Sequence, residues 1–209
     1  MAYPIPIDEQ ARLVELHALR ILDTPAEPEF DGIAQLAAQV TGCAVGAVNF
    51  VDAERQWTKA ICGGERVEVA RDASPCARTI ARPEGMMVVR EPFYAGASIV
   101  SENGHSLGTV CVSDAGPREL GEQQLHALHA LAGQASALLA LRRRTLVLEQ
   151  LTDRIEMSAL RDELTGLANR TLLMDRLQHA LATHARKGRG LAVMLCDIDG
   201  FRAYNDCFG

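Results

Sequence analysis

The sequence predicts an α+β fold: a mainly antiparallel sheet flanked by helices, then a long helix leading into a shorter α/β segment. Three observations predict it. Apolar residues recur at helical spacing in two N-terminal stretches, and between residues 44 and 112 the period shortens to strands joined by turns. A proline-free stretch rich in Leu, Ala, Glu, Arg and Gln then follows Gly121. Helices beside antiparallel strands pack as layers over one core.

The first helix runs from Glu9 to Leu22, with Leu13, Leu16, Ala18, Leu19 and Leu22 on one side, and Asp23-Thr24-Pro25 ends it. Phe30 to Val40 repeats the pattern. Ala44–Val51 reads as a strand, Asp52–Arg55 as a turn, and Gln56–Ile61 as the antiparallel partner. A short helix fits Pro75–Ala81, and strands fit Met86–Val89, Phe93–Val100 and Leu107–Val112. Asn103-Gly104 supports a tight hairpin turn, because both residues tolerate positive φ. Asp162–Arg170 breaks the next helical pattern, and another amphipathic helix carries Leu172, Leu173, Met174, Leu177 and Leu181. Lys187-Gly188-Arg189-Gly190 reads as a turn and Leu191–Cys196 as a buried strand.

With 209 residues, 48% of them hydrophobic and 23% charged, the chain is one domain or one and a fraction with a real core. A net charge of −6 leaves no general basic footprint, and 4% aromatics leave few base-stacking platforms, so no nucleic-acid partner is expected. No apolar run approaches the ~20 residues of a membrane span. The first ten residues lack a basic, then apolar, secretory leader, so a cytoplasmic chain without a membrane partner is expected.

The six cysteines form no C-x-x-C pair, which argues against a zinc cluster and for reduced, mostly buried thiols. Cys76, in Ser74-Pro75-Cys76-Ala77, is the candidate for redox chemistry. His126 and His129 have ligand spacing on a helix but no third ligand nearby. Trp57 reads as a core residue rather than a pocket wall.

From Gly121, an N-cap followed by an acidic residue, to about Leu160 the helix would span roughly 57 Å at 1.5 Å per residue. Leu141, Leu148 and Ile155 recur every seven residues and Leu151 lies three beyond Leu148, which suggests a short coiled-coil seam and a parallel homodimer. A long exposed single helix is the plainer alternative. Arg142-Arg143-Arg144 reads as a solvated patch.

Several segments, in order, resemble a bacterial GAF domain. They are Leu19–Pro25, Glu29-Phe30-Asp31, Asp52–Trp57, Arg71–Cys76, Phe93–Ala97 and Gly104–Val112. The resemblance implies a sensory module that binds a small molecule, or only dimerises, and passes its state to an output domain. Family members usually carry a longer connection with a short helix where this chain has only Arg90-Glu91-Pro92 between Val89 and Phe93. That connection commonly lids the ligand pocket, so an open, collapsed or partner-filled pocket is expected. The ligand itself is unknown.

Two carboxylates, Asp197 and Asp199, follow the apolar run 191–196, and hard oxygen donors suit Mg²⁺ beside phosphates. An ordinary acidic loop before a helix fits the residues equally well. Asp162–Arg170, followed by Asp197-Ile198-Asp199-Gly200-Phe201-Arg202 and Asn205-Asp206, resembles the opening of a GGDEF (diguanylate cyclase) domain. The resemblance implies Asp197 and the Ile198 carbonyl as Mg²⁺ ligands. It implies Gly200 and Phe201 against the phosphates of GTP and Asn205 on the guanine edge. Gly200 stands where an aromatic residue is common, and Arg202 replaces the usual Lys.

The expected domains are therefore a GAF sensor at 1–135, a coiled-coil signalling helix at 136–161 and the front of a GGDEF domain at 162–209. No GG(D/E)EF loop is present in the 209 residues, and half a metal site neither positions nor neutralises phosphates. The chain alone is thus expected not to make cyclic di-GMP, although a complete parent would make it from two GTP. Val193 and Leu195 would lack sheet partners, so this segment is expected to be poorly ordered, swapped or packed against something else. The alternatives are a non-enzymatic GAF ligand-binding or dimerisation module with a degenerate tail, and a GAF-class methionine sulfoxide reductase using Cys62, Cys76 or Cys111.

Overall fold

The structure is a computed structural model and describes residues 6, 8–162, 164–187 and 191–208. The chain divides into two compact units, Met1–Glu149 and Gln150–Gly209.

The first unit opens with α1 (Glu9–Ala18) and α2 (Pro28–Thr41), followed by β1 (Val45–Val51), β2 (Arg55–Cys62) and β3 (Val69–Ala70). Next come α3 (Pro75–Ile80), β4 (Met86–Arg90), β5 (Phe93–Val100), β6 (Ser106–Asp114) and the long α4 (Glu122–Leu160). Among the described residues six strands form one sheet in the order β3-β2-β1-β6-β5-β4, with every pairing antiparallel. The α+β expectation holds. Period-2 alternation gives the sheet two apolar faces. Val48, Phe50, Ala95, Ala97, Ile99, Val110 and Val112 pack against Phe30, Ile33 and Ala34 of α2 and Leu128, Ala132 and Leu139 of α4. On the opposite face, Ala47, Val51, Met87, Tyr94 and Cys111 meet Cys76, Ala77 and Ile80 of α3. Trp57 is buried in the first of these clusters, as expected.

The first helix ends at Ala18, not Leu22. Arg20 and Asp23 take left-handed φ values of 48° and 57°. A continued helix would turn Ile21 away from the face of Leu16 and Leu19, whereas the unwound turn buries all three. In the β5–β6 hairpin only Gly104 uses positive φ (87°), and five residues, 101–105, separate the strands. Gly121 begins α4, and the Gln124 side chain reaches back to its N–H at 3.0 Å, one half of a capping box.

Of the three successive arginines, Arg143 and Arg144 are exposed, as a solvated patch requires, while Arg142 is half-buried, and each is ion-paired. Arg142 pairs with Glu27, Arg143 with Glu15 and Arg144 with Glu102. Successive helical side chains point about 100° apart, so the three reach three different elements. On the same helix Leu141, Leu148, Leu151 and Ile155 are exposed. No described helix is long and apolar enough to cross a membrane.

The second unit continues α4 and adds α5 (Arg170–Lys187) and α6 (Phe201–Phe208). Leu191–Cys196 is not the buried strand its pattern predicts: Val193, Met194 and Leu195 are 70%, 85% and 96% exposed. A strand exists only through ladder partners, and no described segment supplies one to this run. Residues 188–190 of the expected turn, and the first five residues of the chain, lie outside the described residues.

Candidate functional site

The α3 face of the sheet carries an open cleft of about 780 Å³. Its walls include Val45, Thr58 and Val67 on one side and Val89, Pro92 and Phe93 on the other, with Asn49, Cys76, Tyr94 and Cys111 lining it as well. Glu91 and Pro92 alone join β4 to β5, and the pocket is therefore retained without a lid from that connection. The short Val89–Phe93 link leaves it open rather than collapsed.

Local sequence fixes each group in the cleft. Ser74 caps α3 by accepting the Ala77 N–H at 3.0 Å and donates to Gln56 Oε1 at 2.5 Å, while Pro75 occupies the first turn. Cys76 is thereby held over the sheet. Cys111 stands on β6 between Ala47 of β1 and Gly96 of β5. Gly96 has no side chain, and a Cβ there would overlap the Tyr94 hydroxyl. That hydroxyl reaches Thr79 Oγ1 at 3.0 Å and donates to Cys76 Sγ at 3.5 Å.

The two sulfurs are 3.9 Å apart. The Asn49 amide donates to both, at 3.5 Å to Cys76 and 3.2 Å to Cys111, while its carbonyl accepts the Thr58 hydroxyl at 2.8 Å. Burial pushes the Cys76 thiol up, but hydrogen bonds from Cys111, Tyr94 and Asn49 outweigh it and bring it down to about 7. Cys111, whose proton is engaged by Cys76 and which is itself buried, is pushed well up. Burial and the neighbouring thiols push Tyr94 up too. Cys76 was legible in the sequence as a redox candidate, but Cys111, Asn49 and Tyr94 were not singled out as its partners. Strand register and the seating of α3 on the sheet bring them together.

Not all the thiols are buried. All six are free, yet only Cys43, Cys76 and Cys111 are buried, whereas Cys196 and Cys207 are exposed. His126 and His129 lie exposed on α4.

The other predicted site residues lie in the second unit. Asp197 and Ile198 sit in the exposed irregular run before α6. Gly200 takes a left-handed φ of 73° and leads into α6, where Phe201 and Asn205 lie one helical turn apart, both exposed. The Phe201 N–H donates to the Ile198 carbonyl at 3.3 Å. The structure thus places Gly200 just before α6 and Phe201 and Asn205 on it.

The Asp162–Arg170 motif is structural. Asp162 accepts the Thr165 N–H at 2.9 Å and hydroxyl at 2.7 Å, which hold its carboxyl below the usual range. Gly166 provides the left-handed turn, and Asn169 caps α5 by accepting the Leu172 N–H at 3.1 Å. Glu163 lies outside the described residues.

The GAF domain family model matches residues 25–139, more than half of the chain, and the "Diguanylate cyclase, GGDEF domain" model matches residues 159–209. Among curated proteins, the cyclic di-GMP phosphodiesterase PA2567 of Pseudomonas aeruginosa is 27% identical over 93% of this chain and 34% of its own length. The bifunctional diguanylate cyclase/cyclic di-GMP phosphodiesterase MucR of the same organism is 51% identical over 24% of this chain and 7% of its own length. The chain thus spans about a third or less of these relatives. The second GAF domain of DevS from Mycobacterium smegmatis superposes with a TM-score of 0.50 at 13% identity. That match covers 58% of this chain and 97% of that one, and is a likeness of fold.

Proposed function

Because the chain belongs to the GAF domain family and carries a GGDEF region after it, we propose that it is the sensory and dimerising part of a diguanylate-cyclase signalling protein. One observation carries this reading. Helix α4 packs Leu128, Ala132, Ala135 and Leu139 into the GAF core and runs on to Leu160, where the GGDEF-matching residues begin. A helix shared in this way is a direct mechanical output.

On this reading the sensor occupies 1–135, the signalling helix 136–161 and the front of the catalytic region 162–209. The cleft is the input for a small molecule. The exposed stripe of Leu141, Leu148, Leu151 and Ile155 is the seam of a parallel homodimeric coiled coil. The protein works in the cytoplasm, without membrane or nucleic-acid partners.

The reaction of a complete parent joins two GTP into cyclic di-GMP. Gly200 would present its backbone N–H to the phosphates and Asn205 would read guanine, and the Phe201 N–H would join them on release from the Ile198 carbonyl, to which it donates here. Asp197 and the Ile198 carbonyl are oxygen donors of the kind Mg²⁺ prefers, and the ion would neutralise phosphate charge there. Among the described residues no group of three or more His, Cys, Asp or Glu side chains could hold a metal ion, so these two donors alone do not complete that site.

Light scattering over a concentration series tests the assembly. The chain should have a dimer's mass, and the Leu148→Lys/Ile155→Lys double variant a monomer's. A monomeric parent chain, or a double variant that stays dimeric, would remove the coiled-coil transmission.

A further inference from the structure

We propose that Cys76 and Cys111 are a hydroperoxide-reactive dithiol at the cleft, closing to an intramolecular disulfide that ties α3 to β6. Three observations support it. The sulfurs are 3.9 Å apart, one amide donates to both, and both line an open cleft that admits a small oxidant although each thiol is otherwise buried.

The groups divide the chemistry between them. Cys76, held at about 7 by the hydrogens pointed at it, supplies thiolate near neutrality, whereas Cys111 keeps its proton. The Cys76 thiolate attacks the nearer peroxide oxygen, the O–O bond breaks, and the departing alkoxide or hydroxide takes up a proton as alcohol or water. Cys76 is then a sulfenic acid. Cys111 sulfur attacks the Cys76 sulfur, the S–O bond breaks, and hydroxide leaves with the Cys111 proton as water. Two thiols lose two electrons and one hydroperoxide gains them.

The consequence is local and physical. Closure must draw the sulfurs from 3.9 Å to bonding distance, about 2.05 Å. That movement pulls on α3, whose capping Ser74 is bonded to Gln56 of β2. It also displaces both sulfur acceptors of the Asn49 amide. The cleft therefore changes shape when oxidised. This inference rests on reading the cleft as the sensor's input. It is tested by a cross-link, whereas the proposed function is tested by assembly mass, so either can fail alone.

The full chain is treated with one to a few equivalents of hydrogen peroxide, digested under non-reducing conditions and mapped by mass spectrometry. A Cys76–Cys111 linked peptide pair, about 2 Da lighter than the free thiols and restored by dithiothreitol, is expected. Cys76 should be consumed at least about tenfold faster than buried Cys43. In Cys111→Ala the reaction should stop at a Cys76 sulfenic acid that dimedone labels. Cys111→Ser serves if the alanine variant loses its circular-dichroism signature. Oxidation confined to the exposed Cys196 and Cys207, with Cys76 unlabelled in every variant, would overturn the proposal.

Discussion

Lys59 and Arg142 hold the same carboxylate. Lys59 Nζ lies 2.6 Å and Arg142 Nη1 3.0 Å from Glu27 Oε1, and Arg142 also donates to the backbone carbonyls of Leu19 and Arg20. Lys59 is fully buried, and β2 bulges beside it: Val48 pairs with Ala60 and Asn49 with Thr58. Thr58 lines the cleft and Lys59, next in sequence, reaches the carboxylate that Arg142 of α4 also holds.

Removing the helix side of this clamp has a defined cost. Arg142→Ala loses charge-assisted bonds to Glu27 and two carbonyls and should destabilise the first unit by about 1–3 kcal/mol. Lys59→Met should not add to it simply, because both act on Glu27, and a double-mutant cycle in urea should show coupling above about 0.5 kcal/mol. Additivity would mean the two contacts are independent.

Gly46 lets α2 lie directly on β1. A Cβ there would overlap the Ala34 carbonyl oxygen and come within 2.8 Å of the Ala38 nitrogen, both backbone atoms that cannot step aside. Gly46→Ala should therefore cost about 1–3 kcal/mol. Gly116→Ala, which meets nothing within 4 Å, should change the urea midpoint little. Equal midpoints for the two variants would contradict the close packing.

Glu9 makes the fold sensitive to acid. Burial pushes its carboxyl up, yet bonds from Arg12 and Arg71 outweigh this and lower it from 4.5 to about 2. A depressed folded value means the stabilisation is complete above pH 4.5 and fades as pH falls to about 2. Urea unfolding should show a shallower acid decline for Glu9→Gln across that window. Parallel decline in both proteins would assign the acid sensitivity to other carboxylates.

Tyr94→Phe deletes one hydrogen bond to the Cys76 sulfur and leaves the ring in place. Losing a donor to the thiolate should move the Cys76 thiol up from about 7, seen as a rightward shift in its pH–alkylation profile with iodoacetamide. An unshifted profile would exclude the hydroxyl from tuning this thiol.

Most of the first unit was legible because its elements are local. Phe93–Val100 is a strand at the residues its pattern indicates, and the proline-free stretch is a helix of 39 residues. The misreadings share a cause. Leu191–Cys196 has a strand's composition but no described ladder partner, and Arg142 looks solvated until helix geometry sends it to Glu27.

Periodicity and turn chemistry, which depend on neighbouring residues, let the sequence by itself determine the α+β class, the order of mixed domain then long helix, and the motif beginning at Asp162. Tertiary structure alone decided the pairings. Lys59 is buried beside Glu27, and the register of β1, β5 and β6 sets Asn49, Tyr94 and Cys111 around Cys76. Those partners stand 18 to 62 residues apart in sequence. Such contacts follow from which strands pair and in what register, and a buried polar group finds its partners only when the whole sheet has closed around it.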